Sequence, residues 1–238
     1  MNMRILCIIP ARGGSKGVPK KNVKLLNGKP LLQYTYEFAL KLNIFDNICL
    51  STDSIEISSI GKNLGIEVPF LRPESISTDS SSSFEFIEHA LNYFELNLKS
   101  TFDYVCLLQP TVPFRDHNLF LPQIKKFLNS PDFDTLISFR EVPHQYNPQW
   151  LFRIEKNSTT ISPLNKNGVK KRRQDLDKFY CRDGALYLFK TSNIRSAQSI
   201  YGSKIMPLIL CDSNDFNIDT MNDWVKVEKY LENIIKNS

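Results

Sequence analysis

Apolar residues come along this chain in short bursts of two kinds. Residues 3–9 (Met-Arg-Ile-Leu-Cys-Ile-Ile) form a nearly unbroken run closed by Pro10. A run too short for a helix, apolar on both sides and followed by a loop, reads as a buried parallel strand. Leu31, Thr35, Phe38, Ala39 and Leu42 then share one helical face, residues 47–51 give a second strand, and residues 55–64 a short helix. Phe84, Ile87, Leu91, Phe94 and Leu98 form a longer helical stripe, with residues 79–82 supplying its N-cap. A strand at 104–108, a helix over about 119–128 and a strand at 135–139 follow. Strands alternating with helices predict an α/β, Rossmann-like fold: a mostly parallel sheet with helices on both faces.

Between about 141 and 178 the alternation breaks. Prolines, polar residues and the basic run Lys170 to Arg173 displace any long apolar period, which predicts an excursion from the sheet, such as a hairpin arm. Trp150, Leu151, Phe152 and Ile154 are apolar residues in a stretch too interrupted to build its own core, so they need another surface. The core pattern resumes at 185–189 and 205–210 and ends in a helix whose inner face carries Trp224, Val227, Leu231 and Ile234. Residues 1–238 are expected to form a single domain, without room for an additional C-terminal one.

Composition narrows the function. The 42% hydrophobic content suffices for a full core, and a net charge of +5, spread along the chain, suits small anionic substrates such as nucleoside triphosphates better than nucleic acid. The N-terminal apolar stretch is too short for a signal peptide, and no segment approaches the ~20 apolar residues of a membrane span. Cys7, Cys49, Cys106, Cys181 and Cys211 are widely spaced, and three lie inside predicted strands, so free buried thiols in the cytoplasm are expected. His89, His117 and His144 lack metal-ligand spacing, and His89 is expected at the surface or an interface.

The candidate chemistry is concentrated directly after the first strand, in the segment Ala11, Arg12, Gly13, Gly14, Ser15, Lys16, Gly17, Val18, Pro19, Lys20, Lys21, Asn22. Loops at the carboxyl ends of parallel strands are where open α/β sheets bind ligands. Glycines there let backbone N–H groups approach phosphate oxygens, while Arg12, Lys16 and Lys21 add fixed positive charge. The segment reads as a phosphate cradle, the plainer alternative being a solvated basic turn. Lys16 is followed by glycine rather than Ser or Thr, so it is no Walker loop, and the spacing does not fit the dinucleotide fingerprint.

With this stretch the chain resembles the CMP-sialic acid synthetases, the acylneuraminate-type cytidylyltransferases, which join CTP and a nonulosonic acid into a CMP-sugar and pyrophosphate. The resemblance continues, in order, through Ser51-Thr52-Asp53, Arg72-Pro73, the segment Asp79 to Ser83, and Leu108-Gln109-Pro110-Thr111-Val112-Pro113-Phe114-Arg115. It then covers Arg173-Gln174-Asp175-Leu176, Asp183-Gly184-Ala185-Leu186-Tyr187, Ile218-Asp219-Thr220 and Asp223-Trp224, and so extends over nearly the whole chain.

The resemblance implies residue roles. Arg12 and Lys16 match the triphosphate-binding pair, with Lys16 placed to stabilise charge as pyrophosphate leaves. Lys21 and Asn22 match positions near phosphate and cytosine, and Arg72 and Ser83 match base-recognition positions. Gln109 and Thr111 match the sugar-binding motif, and Arg173, Gln174 and Arg182 are candidates for the sugar, the carboxylate contact being open between Arg173 and Arg182 because Cys181 stands where some relatives have arginine. Asp219 matches a ligand of Mg2+, with Asp53 and Asn217 as further candidates. Asn217 stands where many relatives have aspartate, so it brings no charge to the metal. Asp223 is expected to be structural. The expected partners are CTP and a nine-carbon keto-acid sugar of the sialic, legionaminic or pseudaminic type. The alternatives are an eight-carbon keto-acid sugar and a catalytically silent nucleotide-binding homologue. The sequence singles out no base for the sugar hydroxyl, leaving a metal-bound water or the phosphate itself. The resemblance further implies a homodimer in which the 141–178 excursion protrudes as a dimerisation segment, helps close the partner's sugar site and brings Lys166, Lys170 and Lys171 near the anionic substrate.

Overall fold

The computed structural model describes residues 3–156, 159–165, 172–210 and 216–236. In chain order the elements are β1 (Ile5–Pro10), the two-residue strands β2 (Leu25–Leu26) and β3 (Lys29–Pro30), α1 (Leu31–Leu42), β4 (Asn47–Ser51), α2 (Ile55–Asn63), α3 (Ser83–Leu98), β5 (Tyr104–Leu107), α4 (His117–Leu128) and β6 (Thr135–Glu141). They are followed by β7 (Phe152–Ile154), β8 (Ile161–Pro163), β9 (Tyr180–Lys190), β10 (Ile205–Leu210) and α5 (Met221–Lys236).

Six strands form one sheet in the order β10-β6-β9-β5-β1-β4. β1 runs parallel to β4 and β5, and β10 parallel to β6, while β9 is inserted antiparallel between β5 and β6. The mostly parallel, Rossmann-like sheet is therefore present, with one reversed strand inside it.

Side chains alternate between two cores, as a pleated strand requires. Ile5, Cys7 and Ile9 of β1 pack with α1, α2 and α4 through Leu32, Phe38, Ile57, Phe120 and Phe127, whereas Leu6 and Ile8 pack on the opposite face with α3 through Phe86, Ile87, Leu91 and Phe94. A third cluster joins α5 to the β2–β3 corner, where Trp224 and Val227 meet Val18, Leu26, Leu31 and Ile218. Leu231 is partly buried there, but Ile234 is exposed, so the expected inner face of the last helix stops a turn short. The stripe on α3 is likewise rotated: Phe86 and Ala90 are buried, and Leu98 is exposed.

Helix entries follow local chemistry. Ser82 and Glu85 form a reciprocal capping box at α3, the Ser54 side chain accepts from Ile57 N at α2, and Asp116 caps α4 through Asn118 N. Cys7, Cys49 and Cys106 are buried free thiols. Cys181, against expectation, is exposed: it lies in the part of β9 that runs beyond the covered centre of the sheet. Cys211 lies outside the described residues. His89, expected at the surface or an interface, is half-buried edge-on to Phe70 at 4.6 Å.

The excursion leaves β6 and returns at β9. It contains a short turn at His144–Tyr146, the hairpin β7–β8, which forms its own two-stranded sheet, and a turn at Arg173–Asp175. Phe152, Ile154 and Ile161 on this hairpin are exposed, whereas Trp150 and Leu151 are half-buried. Lys166, Lys170 and Lys171 lie outside the described residues.

Candidate functional site

At the carboxyl ends of β1, β4 and β5 the loops enclose a cavity of ≈ 510 Å³. Its walls include Arg12, Ser15, Lys16, Gly17, Lys21 and Asn22 from the loop after β1, and Arg72, Thr78, Asp79, Ser81 and Ser83 from the approach to α3. Gln109, Pro110 and Thr111 after β5, and Asn217 and Asp219 before α5, complete it. Residues as far apart in sequence as Arg12 and Asp219 are brought together here because parallel strands deliver their loops to one edge.

The loops are braced against one another. The Asn22 side chain donates to Arg12 O at 3.0 Å, Lys21 Nζ to Ile218 O at 2.7 Å, and Ile218 N to Thr111 O at 2.8 Å. Gly17 packs so closely on the carbonyl of Asp219 that an added Cβ would collide with that oxygen. The loop after β1, the Gln109–Thr111 loop and the Asp219 loop thus hold each other in register.

Arg72, which the resemblance places at a base-recognition position, is buried. It donates from Nε to Ser51 Oγ at 3.1 Å and from Nη2 to Ser51 O at 2.6 Å, and its guanidinium lies 4.5 Å from the centre of the Phe86 ring. Burial pulls its pKa down to about 10. Ser83 opens α3 and lines the cavity, while the capping is done by Ser82, so Ser83 Oγ is not committed to the cap.

Behind the Gln109 loop sits Arg115, which the sequence places in a motif without giving it a role. It donates to Gln109 O at 2.7 Å, to Ala185 O at 2.8 Å and to Thr35 Oγ1 at 3.1 Å, tying the loop to β9 and α1. Burial again lowers its pKa to about 10. Gly184, at φ +82°, faces the Gln109 side chain so closely that a Cβ would stand 2.6 Å from its Oε1. Only glycine suits both the backbone angle and that contact.

Asp219 is presented by the entrance to α5. Asp223 accepts from Thr220 N at 2.8 Å and Asp219 N at 3.2 Å, and these bonds with that of the Thr220 hydroxyl hold its pKa below the usual carboxylate range. Its expected structural role is visible in these bonds. Asn217 Nδ2 donates to Asp219 Oδ2 at 2.7 Å, and Lys21 Nζ lies 3.4 Å from Oδ1. Among the described residues no three His, Cys, Asp or Glu side chains cluster as metal ligands. A single carboxylate with an amide beside it fits Mg2+ only as a sparse site, completed by phosphate and water oxygens.

Several expected residues lie elsewhere. Ala11 is buried at the end of β1 and donates to Ser51 O, Gly13 and Gly14 are exposed, and Gly13 N donates to Asp53 Oδ1 at 2.9 Å. Asp53 therefore holds the cradle loop and does not line the cavity. Arg173 lines a separate ≈ 370 Å³ cavity with Glu141, His144, Asp177 and Lys178. Gln174 is exposed on the same turn, and Arg182 stacks near Tyr201, 5.8 Å from its ring centre. Neither candidate for the sugar carboxylate faces the main cavity of its own chain. Like Arg115, Asp79 was given no part in the site by the sequence, which placed it only in the N-cap segment of α3 and in a motif; its carboxylate joins Arg12 and Lys16 across the cavity.

Compared with known proteins, the chain matches the profile described as Cytidylyltransferase over residues 6–222. It is 33% identical over 238 residues to the CMP-N,N'-diacetyllegionaminic acid synthase of Legionella pneumophila, covering 97% of each. Against the pseudaminic acid cytidylyltransferase of Campylobacter jejuni it is 33% identical, covering 93% of each. It is 31% identical to the N-acylneuraminate cytidylyltransferase of Escherichia coli, of which it spans about half the length, 51%, with 94% of its own. Its fold is similar to that of a CMP:2-keto-3-deoxy-manno-octonic acid synthetase complexed with CTP, with a TM-score of 0.69 over 97% of this chain and 99% of the other at 14% identity.

Proposed function

From a chain that belongs to the cytidylyltransferase family, we propose an enzyme that transfers CMP from CTP to a nonulosonic acid of the sialic, legionaminic or pseudaminic type, releasing pyrophosphate. The observation that carries this reading is the single cavity in which the cradle loop, Arg72, Ser83, Gln109, Thr111 and Asp219 converge. Arg72 and Ser83 meet the pyrimidine, donors against the acceptors of cytosine. Arg12, Ser15 and Lys16 receive the triphosphate, and Gln109 and Thr111, braced by Arg115, receive the sugar.

The sugar's anomeric hydroxyl attacks the α-phosphorus in line, its proton passes to a phosphate oxygen or to water, and the bond between the α-phosphorus and the oxygen it shares with the β-phosphate breaks, that oxygen leaving with pyrophosphate. Lys16 and Arg12 stabilise the charge that grows on departing pyrophosphate. Asp219, oriented by Asn217 and Asp223, would hold Mg2+ with oxygens of the triphosphate; bound there, the ion would add charge neutralisation at the phosphates. Asp53, bonded to Gly13, shapes the cradle rather than the metal site.

The same reading makes the chain one domain and a homodimer. The exposed Phe152, Ile154 and Ile161 of the β7–β8 hairpin seek a second copy, and Arg173, turned away from its own main cavity, then serves the partner's. No helix among the described residues is long and apolar enough to cross a membrane, and CTP as substrate suits the cytoplasm.

The test is to supply CTP and Mg2+ with sialic, legionaminic and pseudaminic acids and the eight-carbon keto-acid sugar in parallel, reading pyrophosphate. Release with one of the nine-carbon acids supports the proposal. Release only with the eight-carbon sugar would move the substrate, and CTP binding without release from any acid would mark a silent homologue.

A further inference from the structure

Asp79 sits on the turn between residues 77 and 82, shaped by hydroxyl contacts from Thr78 to Ser80 and Ser81. That turn aims its carboxylate across the cavity. Arg12 Nη2 donates to Oδ1 at 2.6 Å, and Lys16 Nζ pairs with Oδ2, so one oxygen rests on each cation. These are the contacts two oxygens of a phosphate would make. The two hydrogen bonds hold the carboxyl below its ordinary pKa, hence ionised at neutral pH. Asp79 has no part in starting α3, because Ser82 and Glu85 form that capping box by themselves.

We propose that Asp79 is an internal competitor for the nucleotide site: an anion that occupies the Arg12–Lys16 pair and must be displaced by the phosphate chain of the nucleotide. This rests on the reading of that pair as the triphosphate site. A carboxylate and a phosphate cannot share the same two cations, since each would face an adjacent like charge. Apparent affinity for any ligand that needs both cations is then the intrinsic affinity reduced by the fraction of molecules in which Asp79 is away. Simple phosphates, which have no other anchor, bear the same penalty on an affinity that is weaker to begin with. A nucleotide that also engages Arg72 and Ser83 remains able to bind. The contact is displaceable because all three side chains reach solvent, at 33%, 81% and 47% exposure for Arg12, Lys16 and Asp79. When pyrophosphate leaves, the same carboxylate returns to the cations and opposes rebinding.

The experiment measures dissociation constants of the full chain for CTP, tripolyphosphate and cytidine, without added metal, for wild type, Asp79→Asn and Glu56→Gln. Glu56 is an exposed carboxylate on the neighbouring α2 that pairs with Lys20 and touches neither cation, so its variant reports the effect of removing charge alone. Asp79→Asn should tighten CTP and tripolyphosphate by a common factor, roughly three- to tenfold. Cytidine, titrated by NMR at millimolar concentration, should stay within about twofold, and the melting temperature should not move. Weaker or unchanged tripolyphosphate binding in Asp79→Asn would overturn the proposal, as would equal tightening by Glu56→Gln. Failure of wild type to bind CTP would strike the nucleotide assignment instead, leaving the tripolyphosphate comparison to decide the role of Asp79.

Discussion

Gly17 and Gly14 lie three residues apart in the same loop and face opposite circumstances. A Cβ on Gly17 meets the carbonyl of Asp219, whereas one on Gly14 meets nothing within 4 Å. Gly17→Ala should therefore cost about 1–3 kcal/mol of stability by overpacking and weaken CTP binding as well, because the loops it separates carry both Lys16 and Asp219. Gly14→Ala should stay within about 0.5 kcal/mol. Thermal melting of the two variants with and without CTP checks the pair. Lys16→Ala should lower kcat by roughly a hundredfold or more with little change in sugar KM, since its work is on charge absent from the ground state; steady-state kinetics would read an unchanged kcat as removing Lys16 from the mechanism. Asp219→Asn should raise the magnesium concentration needed for half-maximal rate or abolish turnover. At this scale much of the cavity wall was legible, because Arg12, Lys16, Lys21, Asn22, Arg72, Ser83, Gln109, Thr111 and Asp219 stand in motifs of fixed order. Asp79 was not: as a carboxylate beside four serines it looks like a turn, and its meaning comes from side chains 63 and 67 positions away.

Among elements, the strands buried on both faces were the easiest to find and the hardest to orient. A run such as residues 185–189 is apolar in either direction, so nothing in it distinguishes a parallel strand from the antiparallel β9 that the sheet contains. The two-residue strands β2 and β3 and the wound segment Asn193–Ala197 have no period to read. Elements closed by caps were found within a residue or two, as at Ser54 and Ser82. One sheet corner makes a pH prediction. Asp134, just before β6, accepts from Ser203 Oγ at 2.7 Å and from Ser203 N and Lys204 N at 3.0 Å each, and those bonds lower its pKa to about 2. Because this folded value lies below the unfolded one of about 3.9, the stabilisation is complete above about pH 5 and is lost as pH falls through about 4 to below about 2. Asp134→Asn should be less stable at neutral pH and show a shallower fall in stability over that acid window, measured by urea unfolding at a series of pH values.

For the whole molecule, the proposed assembly turns on the hairpin. If β7–β8 pairs two copies, Phe152→Ser with Ile154→Ser should shift the species in solution toward monomer while leaving the melting of the central sheet largely intact, because these side chains are exposed and are not among the members of the packed core clusters. Sedimentation at working concentration measures the first and calorimetry the second. Mixing a Lys16→Ala chain with an Arg173→Ala chain after subunit exchange should restore part of the activity, since one composite site per mixed dimer keeps both residues. No recovery despite demonstrated exchange would place Arg173 outside the partner's site. If a sugar hydroxyl displaces pyrophosphate from CTP in this cavity, the oxygen it brings must end between sugar and phosphorus, which can be followed by supplying the accepted nonulosonic acid with ¹⁸O at its anomeric hydroxyl and recording ³¹P NMR spectra. In-line displacement yields one pyrophosphate per CMP-sugar formed, with the label bridging sugar and α-phosphorus. Pyrophosphate appearing with free CMP and no conjugate, or a conjugate whose bridging oxygen is unlabelled, would contradict it.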